Sequence, residues 1–108
     1  MTDLTLLFLR HGRVEALRLD EEYTEHQQQR GTYRKHHVTG TEILEAHANN
    51  PKYFENRGRA PLAMIGVTDA GRVLAVPIEP TKEYGVWRPV TAFEANTHHR
   101  ERYYGGEP

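Results

Sequence analysis

An α+β domain, with helices first and then an antiparallel meander closed by a helix, is the fold this sequence predicts. Three observations point to it. Helix starts and stops crowd the first half. After about residue 52 the pattern changes to short apolar runs divided by turn residues. Finally, 108 residues with 37% apolar content make one domain with one modest core, too small for an enzyme with its own cofactor fold.

Taken in order, Thr5 to Leu9 and Val14 to Leu19 read as strands meeting at His11-Gly12-Arg13, because Val14, Ala16 and the stem of Arg18 alternate with Glu15, Leu17 and Leu19. A short helix over Val14 to Asp20 fits the same residues, and residues 1–13 form either an extra strand or an N-terminal extension. Asp20 is an N-cap for a polar helix from Glu21 to about Gln29, with Glu21 and Glu22 at the positive end of its dipole and Gly31 after it. A second helix opens at Thr39 or Thr41. Its Ile43, Leu44, Ala46, His47 and Ala48 face inward, Glu42 and Glu45 face solvent, and Asn49-Asn50-Pro51 stops it.

Tyr53 to Arg57 is an edge strand, broken by Gly58-Arg59-Ala60-Pro61 before the apolar run Leu62 to Val67. Thr68-Asp69-Ala70-Gly71 has the residues of a hairpin turn, and Arg72 to Glu79 is the returning strand. Val86 to Thr91 adds a third strand. Phe93 to Tyr104 reads as a closing helix anchored by Phe93, Ala95 and Tyr103.

Composition excludes several functions. Without cysteine there are no disulfides, thiolate metal sites or cysteine nucleophiles. No apolar run nears the roughly 20 residues of a membrane span, so a soluble, cytoplasmic protein with no membrane role is expected. A net charge of −1 gives no overall basic field for nucleic acid, and any such contact needs a local patch. The seven histidines turn the net charge positive below about pH 6.5 if several titrate.

The motifs in their order carry a resemblance. Leu19-Asp20, Lys35-His36-His37-Val38-Thr39, Gly66-Val67-Thr68-Asp69-Ala70-Gly71-Arg72, Arg88-Pro89-Val90-Thr91-Ala92 and Glu101-Arg102-Tyr103-Tyr104 follow one another with the spacing of the BrnT family of type II toxins. The segment from Leu19 to Tyr104 resembles that family, whose members are small ribonucleases related in fold to RelE. The resemblance implies two N-terminal helices packed on a small antiparallel sheet with a C-terminal helix. It also implies a metal-independent endoribonuclease without cofactors that inhibits translation. The implied partners are an RNA substrate and a cognate ribbon-helix-helix antitoxin, with operator DNA reached only through that antitoxin, in a homodimer or a toxin–antitoxin hetero-oligomer. Three positions depart from the pattern: Leu19 replaces the family's opening tryptophan, Tyr23 stands at or near its first-helix lysine, and Phe93 replaces the arginine after Ser/Thr-Ala. Residues 30–35 look like an insertion.

The implied chemistry needs a proton acceptor for the attacking 2′-hydroxyl, cations for the phosphorane and an acid for the leaving 5′-oxygen. Arg72 and Arg88 are expected to clamp phosphate oxygens, and His37 or His36 to transfer protons. Lys35, His26, Trp87 and Tyr104 are the expected substrate contacts, the two aromatics by stacking. Simpler roles compete: Arg72 capping a sheet edge, Arg88 stacking on Trp87. A catalytically degenerate toxin kept as a binding module or co-repressor is the alternative. Remoter is the match of Leu6-Leu7-Phe8-Leu9-Arg10-His11-Gly12 to the strand-Arg-His-Gly opening of histidine phosphatases, because nothing after Arg13 resembles their later elements. The pairs His36-His37 and His98-His99 lack zinc-site spacing, so no metal is expected.

Overall fold

The computed structural model describes residues 3–19 and 38–105. The polar helix expected at Glu21 to Gln29, with its Asp20 cap, lies outside the described residues, as do His26, Lys35, His36 and His37. Among the described residues the order is α1 (Asp3–His11), β1 (Ala16–Leu17), α2 (Gly40–Ala48), β2 (Lys52–Glu55), β3 (Leu62–Val67), β4 (Val73–Pro80), β5 (Val86–Pro89), β6 (Phe93–Glu94) and α3 (Thr97–Gly105). The result is a small α+β fold on a mixed sheet. No helix among these residues is long and apolar enough to cross a membrane.

The strand expected at Thr5 to Leu9 is instead part of helix α1. Six consecutive residues, LTLLFL, satisfy both periods, and the helical one buries more: Leu4, Leu7 and Phe8 form one stripe on the core while Leu6 and Leu9 stay outside. Gly12, at φ +85°, ends the helix, its N–H donating to the Phe8 carbonyl at 2.8 Å. The second expected strand shrinks to Ala16–Leu17, which pairs in parallel with Val86 and Trp87.

Helix α2 forms as its sequence predicts. Thr39 accepts from the Glu42 N–H while the Glu42 side chain accepts from the Thr39 N–H, a capping box. Val38 before the cap and Ile43 one turn in are both fully buried in one cluster, as in a hydrophobic staple. Leu44 and Ala48, however, are exposed, and Glu42 and Glu45 are not simply solvated. Glu42 takes Arg72, and Glu45 accepts from the Asp69 N–H.

The sheet runs β1-β5-β4-β3-β2, with β6 also on β4. Strands β2, β3 and β4 form the expected meander, Met64 opposite both Tyr53 and Val76. One face carries Leu62, Met64, Leu74, Val76, Ile78 and Trp87 beneath α1 and α2, and the other carries Ile65, Val73 and Ala95 with Phe54, Val67 and Tyr103.

The closing helix starts later than expected. Phe93 and Glu94 pair with Ala75 and Leu74, giving the first half of β4 the edge partner that β5 gives its second half. Helix α3 begins only after Asn96. The Asn96 side chain accepts from the His99 N–H at 2.9 Å, and the Asn96 N–H donates to His99 Nδ1 at 3.4 Å. Burial, then the charges of His98 and Arg102, hold the His99 imidazole below its ordinary value. A ring that accepts at Nδ1 must be neutral there. Because the folded value is depressed, the Asn96 N–H to Nδ1 bond contributes fully above the unfolded pKa of about 6.5 and is lost as pH falls through the folded value, while the bond to the Asn96 side chain does not depend on the ring. Amide exchange in α3 is therefore expected to quicken relative to β3 as pH falls below about 6.5. Equal protection of α3 above and below that pH would refute the coupling.

Candidate anion-binding cleft

Arg88 sits on β5 directly opposite Glu79 of β4. Its Nε donates to Glu79 Oε2 at 2.7 Å. Arg59, from the turn between β2 and β3, grips the same carboxylate with a fork, Nε to Oε1 at 3.2 Å and Nη2 to Oε2 at 3.3 Å. On the other side, β1 pairs with β5 at Leu17 and Trp87, and the Arg18 N–H donates to the Trp87 carbonyl at 2.8 Å. Continuing that register by one residue sets Arg18 beside Arg88. Arg18, Arg88 and Glu79 thus succeed one another across the strands at about 4.8 Å each, and Arg59 reaches the same Glu79 from the β2–β3 turn.

A cleft of about 560 Å³ opens there, lined by His11, Arg18, Glu79, Pro80, Thr81, Lys82 and Arg88. Arg18 also pairs with Glu83 of the β4–β5 loop. That loop is held by the Thr81 hydroxyl, which donates to the Val86 carbonyl at 2.7 Å. Among the described residues Lys82 has no hydrogen bond or ion pair. Burial pushes the Glu79 carboxyl up, but hydrogen bonds and charges from Arg59 and Arg88 outweigh it and hold it below the usual carboxylate range. The carboxylate therefore stays ionised at neutral pH, and the cleft remains cationic: Arg18, Lys82 and Arg88 against Glu79 on its walls.

The Arg10-His11-Gly12 step has a structural explanation. The Gly85 N–H donates to the His11 carbonyl at 2.7 Å, and the Trp87 indole N–H to the Gly12 carbonyl at 3.2 Å. A Cβ on Gly12 would lie 2.6 Å from the Gly85 nitrogen, so only glycine permits this approach. The imidazole of His11 meets the edge of Trp87 at 6.0 Å between ring centroids. These residues seat α1 on the β4–β5 loop and bring His11 to the cleft wall.

Arg72 and Arg88 do not form a clamp. Arg88 faces Glu79, seven positions beyond Arg72 along the chain, which is about 23 Å of extended strand. An odd number of positions also puts the two on opposite sides of the sheet. Arg72 turns toward α2, its Nη1 donating to both Glu42 oxygens at 3.1 and 3.2 Å, while its Nε donates to Glu94 at 3.2 Å. Glu94 in turn accepts from Arg100 at 3.2 Å. Arg72 thus ties α2, the hairpin, β6 and α3 together.

The expected stacking residues change roles as well. Trp87 is 0% exposed, enclosed by Phe8, His11 and Gly12, so no base can reach it. Tyr104 is 65% exposed but stands at the other end of the sheet, against Tyr103, whose hydroxyl donates to the carbonyls of Asn49 and Asn50. Arg18, Arg59, Glu79 and Lys82 were missed by sequence reasoning. Strand register brings Arg18 and Glu79 to Arg88, the turns on either side of β3 and β4 add Arg59 and Lys82, and no local motif announces it. Compared with known proteins, the chain matches no family model and no curated sequence.

Proposed function

We propose that this chain is the toxin of a type II toxin–antitoxin pair, a metal-independent ribonuclease that holds an RNA strand by its phosphates at the Arg18–Arg88 cleft. The ordered motifs from Leu19 to Tyr104 support the family, and one observation supports the site: Arg18 and Arg88 side by side on an open cleft that Lys82 also lines. In the reaction the 2′-oxygen bonds to phosphorus, the phosphorus–O5′ bond breaks, and a proton passes from the 2′-hydroxyl to a base while another reaches the 5′-oxygen. Arg88 and Arg18 would stabilise the charge that builds on the phosphorane oxygens. The family resemblance gives the proton transfers to His37 or His36. The reading also carries a cytoplasmic location and neutralisation by a ribbon-helix-helix antitoxin.

One observation favours a catalytically degenerate binding module acting with that antitoxin. Arg72, the arginine of the Gly-x-Thr-x-x-Gly-Arg motif, is committed to Glu42 and Glu94 and stands far from Arg88. Incubating the purified chain with an unstructured RNA decides between the readings. The toxin reading expects fragments ending in 2′,3′-cyclic phosphate, and a loss of about 100-fold in rate for Arg88→Ala. RNA that is bound yet stays intact would establish the second reading.

A further inference from the structure

The Arg59–Glu79–Arg88 triad contains more than the cleft requires. Arg59 lies outside the cleft lining, yet from the β2–β3 turn it holds the same carboxylate as Arg88 and carries the positive charge beyond Glu79. Exposure is graded across the triad: the Glu79 side chain is 18% exposed, Arg88 44% and Arg59 67%. The acid sits low between two cations that reach outward. Three guanidinium nitrogens converge on its two oxygens, a donor set that also suits two oxygens of a phosphodiester, because arginine forks take carboxylate and phosphate in the same planar manner. Half-exposed arginines can turn from one anion to the other without leaving the sheet. The depressed titration of Glu79 agrees with an anion site already occupied from within.

We propose that Arg59 and Arg88 form a second phosphate subsite, for the neighbouring phosphodiester of the strand held in the cleft, and that Glu79 occupies it until the strand arrives. The inference rests on the RNA-binding reading above and adds to it a ligand with at least two consecutive phosphates and a built-in brake on affinity. Entry of the strand breaks both ion pairs of Glu79 and leaves a carboxylate beside the backbone, which suits a protein of net charge −1 that binds nucleic acid through one local patch.

The test is binding of fluorescein-labelled oligouridylate to the full chain, followed by anisotropy over a range of salt. Four proteins are compared: wild type, Glu79→Gln, Arg59→Gln and Arg18→Gln, each checked for folding by circular dichroism. Glu79→Gln keeps the shape and removes the charge, and it is expected to bind about fivefold tighter, since the two ion pairs no longer compete with the strand. Arg59→Gln alters a surface side chain, and it is expected to weaken binding and to flatten the salt dependence by about 0.7 in log–log slope, one phosphate contact on a single strand. Weaker binding by Glu79→Gln would mean that the carboxylate organises the arginines for the ligand, and the occupied-subsite idea falls. Wild-type affinity and slope in Arg59→Gln, with Arg18→Gln still impaired, would remove the second subsite and leave the cleft standing. No salt-dependent binding by the wild type would remove the RNA-binding reading, and the subsite with it.

Discussion

Replacing Trp87 by alanine is expected to lower the unfolding free energy by about 4 kcal/mol, within the range that buried aromatic truncations cost. The indole is 0% exposed and packs edge-on to Phe8 and His11, with ring centroids 6.4 and 6.0 Å away. Its N–H donates to the Gly12 carbonyl. Truncation would open a cavity, leave that carbonyl without its donor, and loosen α1 and β1 together, because β1 pairs with β5 at this residue. Trp87→Phe keeps most of the volume and loses the hydrogen bond, so it should fall between, at about 1 to 2 kcal/mol. This is the one tryptophan in the sequence, so urea unfolding has to be followed by circular dichroism rather than by indole fluorescence. A Trp87→Ala protein within about 1 kcal/mol of wild type would contradict the seat described for α1.

Gly66→Ala is the second large effect, about 3 kcal/mol from a single methyl group. A Cβ there would stand 2.5 Å from the Ala46 carbonyl oxygen and 3.1 Å from the Ala46 carbonyl carbon and Cβ. The obstacle is mostly helix backbone, which no rotamer change can move. Helix α2 cannot retreat cheaply either, since Asn49 donates to the Val67 carbonyl at 3.0 Å, Glu45 accepts from the Asp69 N–H, and Glu42 holds Arg72. Gly71→Ala provides the contrast: its Cβ meets open space, but the φ of +90° strains any L side chain, for about 1 kcal/mol. Chemical denaturation of both variants checks the order. If Gly71→Ala proves the more damaging, the close approach of α2 to β3 is wrong.

The elements with one dominant local signal could be read from the sequence, and those decided by tertiary partners could not. Leu62 to Val67, the Thr68 to Gly71 turn and the Thr39 cap each carry their own chemistry, and the structure places them as expected. LTLLFL has no such signal, because a mostly apolar run broken only at Thr5 fits either period, and only the sheet beneath it selects the helix. Phe93-Glu94 is extended because β4 lacks an edge there, a need invisible from residues 93 and 94 themselves. For the site, Arg88 was legible as a cation on a strand. Its neighbours were not, since the β4–β5 register, which sets Glu79 opposite Arg88, is closed by a loop without a strong turn motif. Arg72 reads as equivalent to Arg88 because each belongs to a family-like motif. The odd spacing that separates them becomes meaningful only once β4 is known to span Val73–Pro80.

The pairing of β1 with β5 joins Ala16 to Val86 and so closes the sheet between distant parts of the chain. During synthesis residues 3–17 leave the ribosome well before residues 85–87, against which they are to rest. Leu4, Leu7, Phe8, Val14 and Leu17 must therefore wait, with their apolar stripe uncovered, while the meander from Lys52 to Pro80 can already form from near neighbours. The nascent chain is most exposed to chaperones and proteases in that interval, and Arg18 comes to lie beside Arg88 only when it ends.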